Sequence, residues 1–538
     1  MVLALALAAC GFDYADPFGS IDRVARGAEK QKKLVLYGAI AGDESSAVLV
    51  GHDMLSSGGS AADAAVAMAF MLSVTLPSRA SLGGGGVCMV ASPLKGGVRM
   101  LDFMPPASRS PGPHTDRPSA VPTMVRGMAA LHAAFGRLPW AQLIAPAEQL
   151  ARVGQTVTRP LGEDLTKLAG PLFTDPESRA TFSRRGGGPV AVGGRLVQLN
   201  LRTLLAQIRV RGAGDFYNGN LARRLVDAVV AAGGSLGREE LRTYLPKWRQ
   251  VAGVPFGRDV LHAPTPPATG GVVAAQMWHM LVAEGRYAKV PVAERPHLLA
   301  ETAKRAFGNR TRWLNRDGTS REKIQATLSA ERARGLMNNY RPGRASSAAG
   351  FHADRSQPGD TSSGTGFVVV DGKGLAVACN LTMYHLFGTG RTAPGLGIVL
   401  AAAPDGKTRH PFSLGPVLVT RASDRAFRFA AAGSGGAAAV TAIVGVAAQT
   451  LIDGLPLKQA IQTPRLHHGG MPDRVLVEGG PLAAALAERG HRVEQAASLA
   501  RVNAIFCPAG LSPKPERRDC VAANDNRGAG LAAILVPR

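Results

Sequence analysis

Residues 364–390 read GTGFVVVDGKGLAVACNLTMYHLFGTG. Gly366–Asp371 is an apolar, β-branched run, Gly372–Gly374 supplies a turn, and Leu375–Thr382 is a second run of the same kind. The stretch therefore predicts a β-hairpin. Immediately before it lies GRASSAAGFHADRSQPGDTSSG (residues 343–364), small, polar and rich in Gly and Ser, which reads as an exposed loop. A polar loop that ends in Ser and Thr and feeds straight into a buried strand suits a chain that cuts itself to expose a new N-terminal nucleophile. In such a chain the hydroxyl attacks and the freed α-amine is its general base. An α-amino pKa of roughly 7.7–8.0 leaves an appreciable neutral fraction near pH 7.

Further along, Pro416–Thr420 and Arg425–Ala432 read as strands. They lead into Gly433-Ser434-Gly435-Gly436 and an apolar helix from about Ala437 to Ile452. A glycine turn entering a helix can present backbone N–H groups to an oxyanion. Towards the N-terminus, SAADAAVAMAFMLSVTL from Ser60 predicts a helix apolar on every side, capped by Ser60 and stopped by Pro77, and so a buried one. Gly83–Gly86 then turns into a β-rich run. No Gly-Lys-Ser/Thr follows it, so it is not a phosphate loop. Between about 125 and 245 the pattern is mainly helical, as in Val125–Phe135, Trp140–Val153 and Asn220–Gly233.

At 538 residues and 46% hydrophobic, the chain can build a large core. The net charge of +23 comes from scattered arginines rather than a dense stripe, and aromatics are only 5%, which argues against a specific nucleic-acid partner. Cys88 and Cys379 sit in apolar runs and are expected to be buried core thiols. Cys507 and Cys520 flank a Pro- and charge-rich loop, where a disulfide and two free thiols are both open readings. Met1–Ala9 is a short apolar run, and Leu7-Ala8-Ala9-Cys10 resembles a lipobox, so residues 1–22 are read as a lipoprotein-type signal with a lipid anchor at Cys10. That reading makes the protein periplasmic or membrane-anchored; an apolar N-terminal stub would leave it cytoplasmic. His52, His385, His467 and His468 lack ligand spacing, so no metal site is expected.

The ordered blocks GGSAADAAVAMAF (58–70), LGGGGVCMV (82–90), LDF (101–103), DFYNGNLARRL (215–225), PPATGGVVAAQM (266–277), VVVDGKGLAVACNLTMYHLFGTG (368–390), GSGG (433–436) and TPRLHH (463–468) resemble the γ-glutamyltransferase family of N-terminal-nucleophile (Ntn) hydrolases. The resemblance implies an α+β fold, a four-layer αββα sandwich. It implies self-cleavage into a large segment (23–360) and a small one (361–538) that stay associated as one globular unit. It also implies hydrolysis or transfer of a γ-glutamyl or related amide, with a glutathione-type donor and no cofactor.

The same resemblance places the site. The family's nucleophile is the first Thr of a pair, seven residues before the Asp that ends the strand. Counting back from Asp371 lands on Gly364, with Thr365 in the second position. In the alternative alignment Thr361-Ser362 is the pair and residues 363–365 are a short insertion, so Thr361 and Thr365 are ranked together as the nucleophile, with Ser363 third. Thr382 matches the supporting threonine, and the Gly435 and Gly436 amides match the oxyanion turn. Of the substrate-gripping positions, Ser413 is kept, but Met104 stands for an arginine, Tyr384 for an asparagine, and Asp405 lies one residue before the acidic position. Arg79 or Arg109 could take over from the missing arginine. The alternative is an inactive, non-processing homologue that acts as a binding protein.

Overall fold

The computed structural model describes residues 38–110, 116–351, 363–405, 413–513 and 519–536. Thirteen strands build two facing sheets: β1 (Gly38–Gly42), β2 (Gly85–Ser92), β3 (Gly97–Phe103), β4 (Lys247–Arg249), β5 (Ala252–Phe256), β6 (Asp259–Ala263), β7 (Gly364–Asp371), β8 (Ala376–Thr382), β9 (Val417–Arg421), β10 (Phe427–Ser434), β11 (Arg501–Leu511), β12 (Val521–Ala523) and β13 (Leu531–Leu535). The first sheet runs β13-β1-β7-β8-β2-β3-β4 and the second β12-β11-β10-β9-β6-β5. Every pairing in both is antiparallel.

β7 and β8 pack against β10, and β1 and β7 against β11, so the two sheets meet face to face. The apolar residues of β7 and β8 are buried on both faces, which is why they read as continuous rather than alternating hydrophobic runs. Helices α1 (Ser45–Ser56), α2 (Ala61–Thr75) and α3 (Met124–Phe135) cover the outer face of the first sheet. Helices α4 (Gly270–Val282) and α6 (Ala437–Leu451) cover the second, with α5 (Arg295–Trp313) packed against both. This is the expected αββα sandwich.

Every residue of α2 is buried, as its unbroken apolar sequence requires. Its start is fixed by a capping box: Ser60 Oγ accepts from Asp63 N at 3.1 Å while the Asp63 carboxylate accepts from Ser60 N at 2.8 Å. The β7–β8 hairpin, the helix after Gly436 and the helices over 124–135 and 140–153 also form where the sequence places them.

The cysteines correct one expectation. Cys88 and Cys379 are not free thiols but a disulfide, because β2 and β8 set them directly opposite each other in register. Both are fully buried. Cys507 and Cys520 form a second disulfide beside the β11–β12 pair. Cys10 lies outside the described residues.

Candidate active site

The start of β7 meets the end of β8, with Gly364 opposite Thr382, and this junction opens into a cleft at one end of the sandwich. Ser363 and Gly364 line it at the entry to β7, Thr382 and Tyr384 at and just beyond the end of β8, and Ser413 and Leu414 on the approach to β9. The end of β10, from Gly433 to Gly436, closes it together with the first turn of α6.

The candidate hydroxyls separate by what they touch. Thr365 is not among the lining residues: its hydroxyl donates to Asp43 Oδ2 at 3.1 Å, and the side chain is fully buried. The same carboxylate accepts from Gly366 N at 3.1 Å and from Asn503 Nδ2 at 2.8 Å. Asn380 Nδ2 in turn donates to Gly433 O across the sheets at 2.6 Å. Thr365 thus belongs to a buried polar tie between the sheets. Thr361 lies outside the described residues. Among the described nucleophile candidates, Ser363 is the one that lines the cleft. The register position itself has little room for a side chain, since a Cβ on Gly364 would lie 2.9 Å from Leu381 O.

Thr382 Oγ1 accepts from Tyr384 N at 3.0 Å, which orients the hydroxyl and leaves its proton for a group in the cleft. Gly435 (φ 123°) and Gly436 (φ 68°) carry the chain from β10 into α6 through backbone conformations that favour glycine. A Cβ on Gly435 would also stand 2.5 Å from Ala500 Cα. The N-terminal end of α6, the positive end of its dipole, therefore sits on the cleft, where an anionic oxygen would be stabilised.

The substrate-gripping candidates divide. Ser413 and Tyr384 line the cleft, whereas Met104 is buried in the core beside it and Asp405 is exposed and outside the lining. Tyr384 donates its hydroxyl to Pro105 O at 2.9 Å, and burial together with nearby Asp102 pushes the phenol pKa up, so it stays protonated. Arg79 does not reach in: it is held bidentately by Asp164, at 2.8 Å on each oxygen. Arg109 is exposed. Asp43 and Asn503 were not among the sequence candidates, because only the packing of the two sheets brings them to β7.

His297, Glu301 and His491 are close enough together to raise the question of a metal. Their hydrogen bonds answer it. His297 Nε2 must donate to Arg341 O (3.0 Å), so its Nδ1 accepts from His491 Nε2–H at 2.8 Å. Glu301 is occupied by Lys304 at 2.9 Å and by Arg305 and Ser346. Neither histidine lone pair at this contact nor the carboxylate is free, and two cations already neutralise the acid; the cluster is a buried structural network.

The sequence matches the gamma-glutamyltranspeptidase family over residues 47–535. The chain belongs to that family. Similar members are the glutathione hydrolase proenzyme of Escherichia coli K12, 27% identical with 82% of this chain and 83% of that protein covered, and the acylase ACY 1 proenzyme of Pseudomonas sp. SE83, 29% identical with 90% and 92% covered. In fold the chain is similar to the cephalosporin acylase of Bacillus halodurans, with a TM-score of 0.77, 21% identity, and 98% of this chain and 99% of that one covered. It also resembles the gamma-glutamyltranspeptidase of Helicobacter pylori, with a TM-score of 0.51, 25% identity, and 56% and 90% covered. These relatives place the αββα sandwich among the Ntn hydrolases.

Proposed function

We propose that this family member is a self-processing amide hydrolase or acyltransferase whose nucleophile is Ser363. The observation that carries the reading is the convergence of the Ser363 residue, the Thr382 hydroxyl and the Gly435–Gly436 turn on one cleft. In processing, Ser363 Oγ attacks the carbonyl carbon of residue 362. The peptide C–N bond breaks, an ester forms, and the α-amine of Ser363 is freed; water then cleaves the ester. In turnover that amine accepts the Oγ proton as Oγ attacks the substrate's amide carbon. The Gly435 and Gly436 N–H groups face the resulting oxyanion. The proton passes to the departing amine, and water, or a second amine, releases the acyl group. The proenzyme names of the relatives support self-cleavage, and the glutathione hydrolase and acylase names support an amide as substrate.

The pairing of all four described cysteines in two disulfides supports a further part of the reading, that the protein works in an oxidising compartment outside the cytoplasm. The lipobox-like Cys10 fits the same export route.

A second reading, a non-processing homologue that binds a ligand, is favoured by Gly364 at the position opposite Thr382. Ser363→Ala separates the two. Under the first reading the variant stays one chain and amide turnover falls by roughly a thousandfold or more; under the second, wild type and variant are alike in both respects.

A further inference from the structure

The wall of the cleft consists of hydroxyls, glycine backbone and apolar side chains, and no described residue that lines it carries a charge. Charged groups close by are engaged elsewhere. Arg79 is locked to Asp164, and Asp102 pairs with Arg249 at 2.7 Å. Arg501 is the exception: it stands behind the wall, donating Nε to the lining Ser434 Oγ at 3.1 Å. Met104 lies in the core. Tyr384 is pinned at both ends: its backbone takes φ 63°, a left-handed conformation that bulky residues rarely adopt, and its hydroxyl is satisfied by Pro105 O. Its ring is thus a fixed wall, and its one polar group already has a partner.

We propose that the cleft selects amides whose acyl group is uncharged, and that Tyr384 is the residue that sets this specificity. The inference rests on the cleft being the acyl site, as proposed above. An acyl group ending in a free carboxylate and ammonium would have to shed water from both charges and, among the described lining residues, find only hydroxyls, glycine backbone and a blocked phenol in return. A burden of that size discriminates by about 100-fold or more in favour of a neutral acyl chain, which loses only its hydrophobic hydration.

Two para-nitroanilides of equal leaving group, hexanoyl and γ-L-glutamyl, test this on the purified full chain. The expected result is a kcat/KM about 100-fold or more higher for the hexanoyl amide, and tighter binding of it by calorimetry. Tyr384→Asn should bring the ratio down at least about tenfold, chiefly through KM for the γ-glutamyl probe. Asparagine tolerates a positive φ, so the variant is expected to fold, and an unchanged melting temperature checks that it has. Equal or better handling of the γ-glutamyl probe by wild type overturns the proposal, as does a ratio that Tyr384→Asn leaves unmoved. If the chain proves unprocessed and neither probe is hydrolysed, the catalytic reading fails, yet calorimetry still decides specificity. Binding of the hexanoyl amide alone then supports it. Binding of the γ-glutamyl probe, or of neither, contradicts it.

Discussion

Three consecutive residues, Ser363, Gly364 and Thr365, carry the question of chemistry: the first two line the cleft and the third is buried against Asp43. The sequence shows the hairpin and the count back from Asp371. It does not show that Thr365 is claimed by Asp43, because that contact joins residues 322 apart and depends on how the sheets stack. The two hydroxyls should therefore fail differently. Thr365→Ala removes a buried hydrogen bond to a carboxylate and is expected to cost about 1.5–3 kcal/mol in chemical denaturation, while cleavage before Ser363 continues. Loss of cleavage in a folded Thr365→Ala protein would return the nucleophile to Thr365.

At the scale of elements, the hydrophobic pattern was legible wherever local sequence decides the outcome. The cap, length and full burial of α2 follow from Ser60, Asp63 and an all-apolar run. Asp63 does more than cap, however. Its carboxylate also accepts from Arg137 N at 2.9 Å and Leu138 N at 3.3 Å, binding α2 to the segment after α3. Asp63→Ala is expected to cost about 3 kcal/mol or more, against about 1 kcal/mol for Ser60→Ala, a contrast that urea unfolding measures.

The Cys88–Cys379 bond was hidden for the opposite reason. Each cysteine sits in an apolar run that suits a core thiol, and only the β2–β8 register makes them partners.

Buried histidines set the acid limb of stability. Burial lowers the pKa of His262 to about 4 and of His467 to about 3; burial, then the Lys304 ammonium, lowers His491 to about 3. In the unfolded chain each takes up a proton near pH 6.5, while the fold keeps them neutral. Stability is therefore unaffected above about 6.5 and falls as the pH drops towards the folded values, by about 1.4 kcal/mol per pH unit for each histidine. Glu301 acts in a lower window. Burial opposes its charge, but Arg305 and Lys304 hold its pKa down to about 2, so its contribution is lost only below the ordinary glutamate range. Unfolding free energies measured from pH 7 to 5 should fall steadily; a flat profile would contradict the neutral, buried assignment.

For the whole molecule, the two sheets are built from both sides of the peptide bond before Ser363, so processing would leave every described strand in place. It would also leave a covalent link, since Cys88 lies before that bond and Cys379 after it. The processed protein is expected to run as one species on a denaturing gel without reductant and as two with it, and the burial of both sulfurs predicts that reductant separates the chains only once the protein is unfolded. Noncovalent association alone would give two bands under both conditions.

Intact mass spectrometry of the denatured protein, before and after reduction, tests self-processing at Ser363 most directly. The account predicts a single mass one water above the uncut chain before reduction. After reduction it predicts two chains, the smaller beginning at Ser363. One uncut chain in both samples, after days at neutral pH, would contradict it and leave the cleft as a binding site.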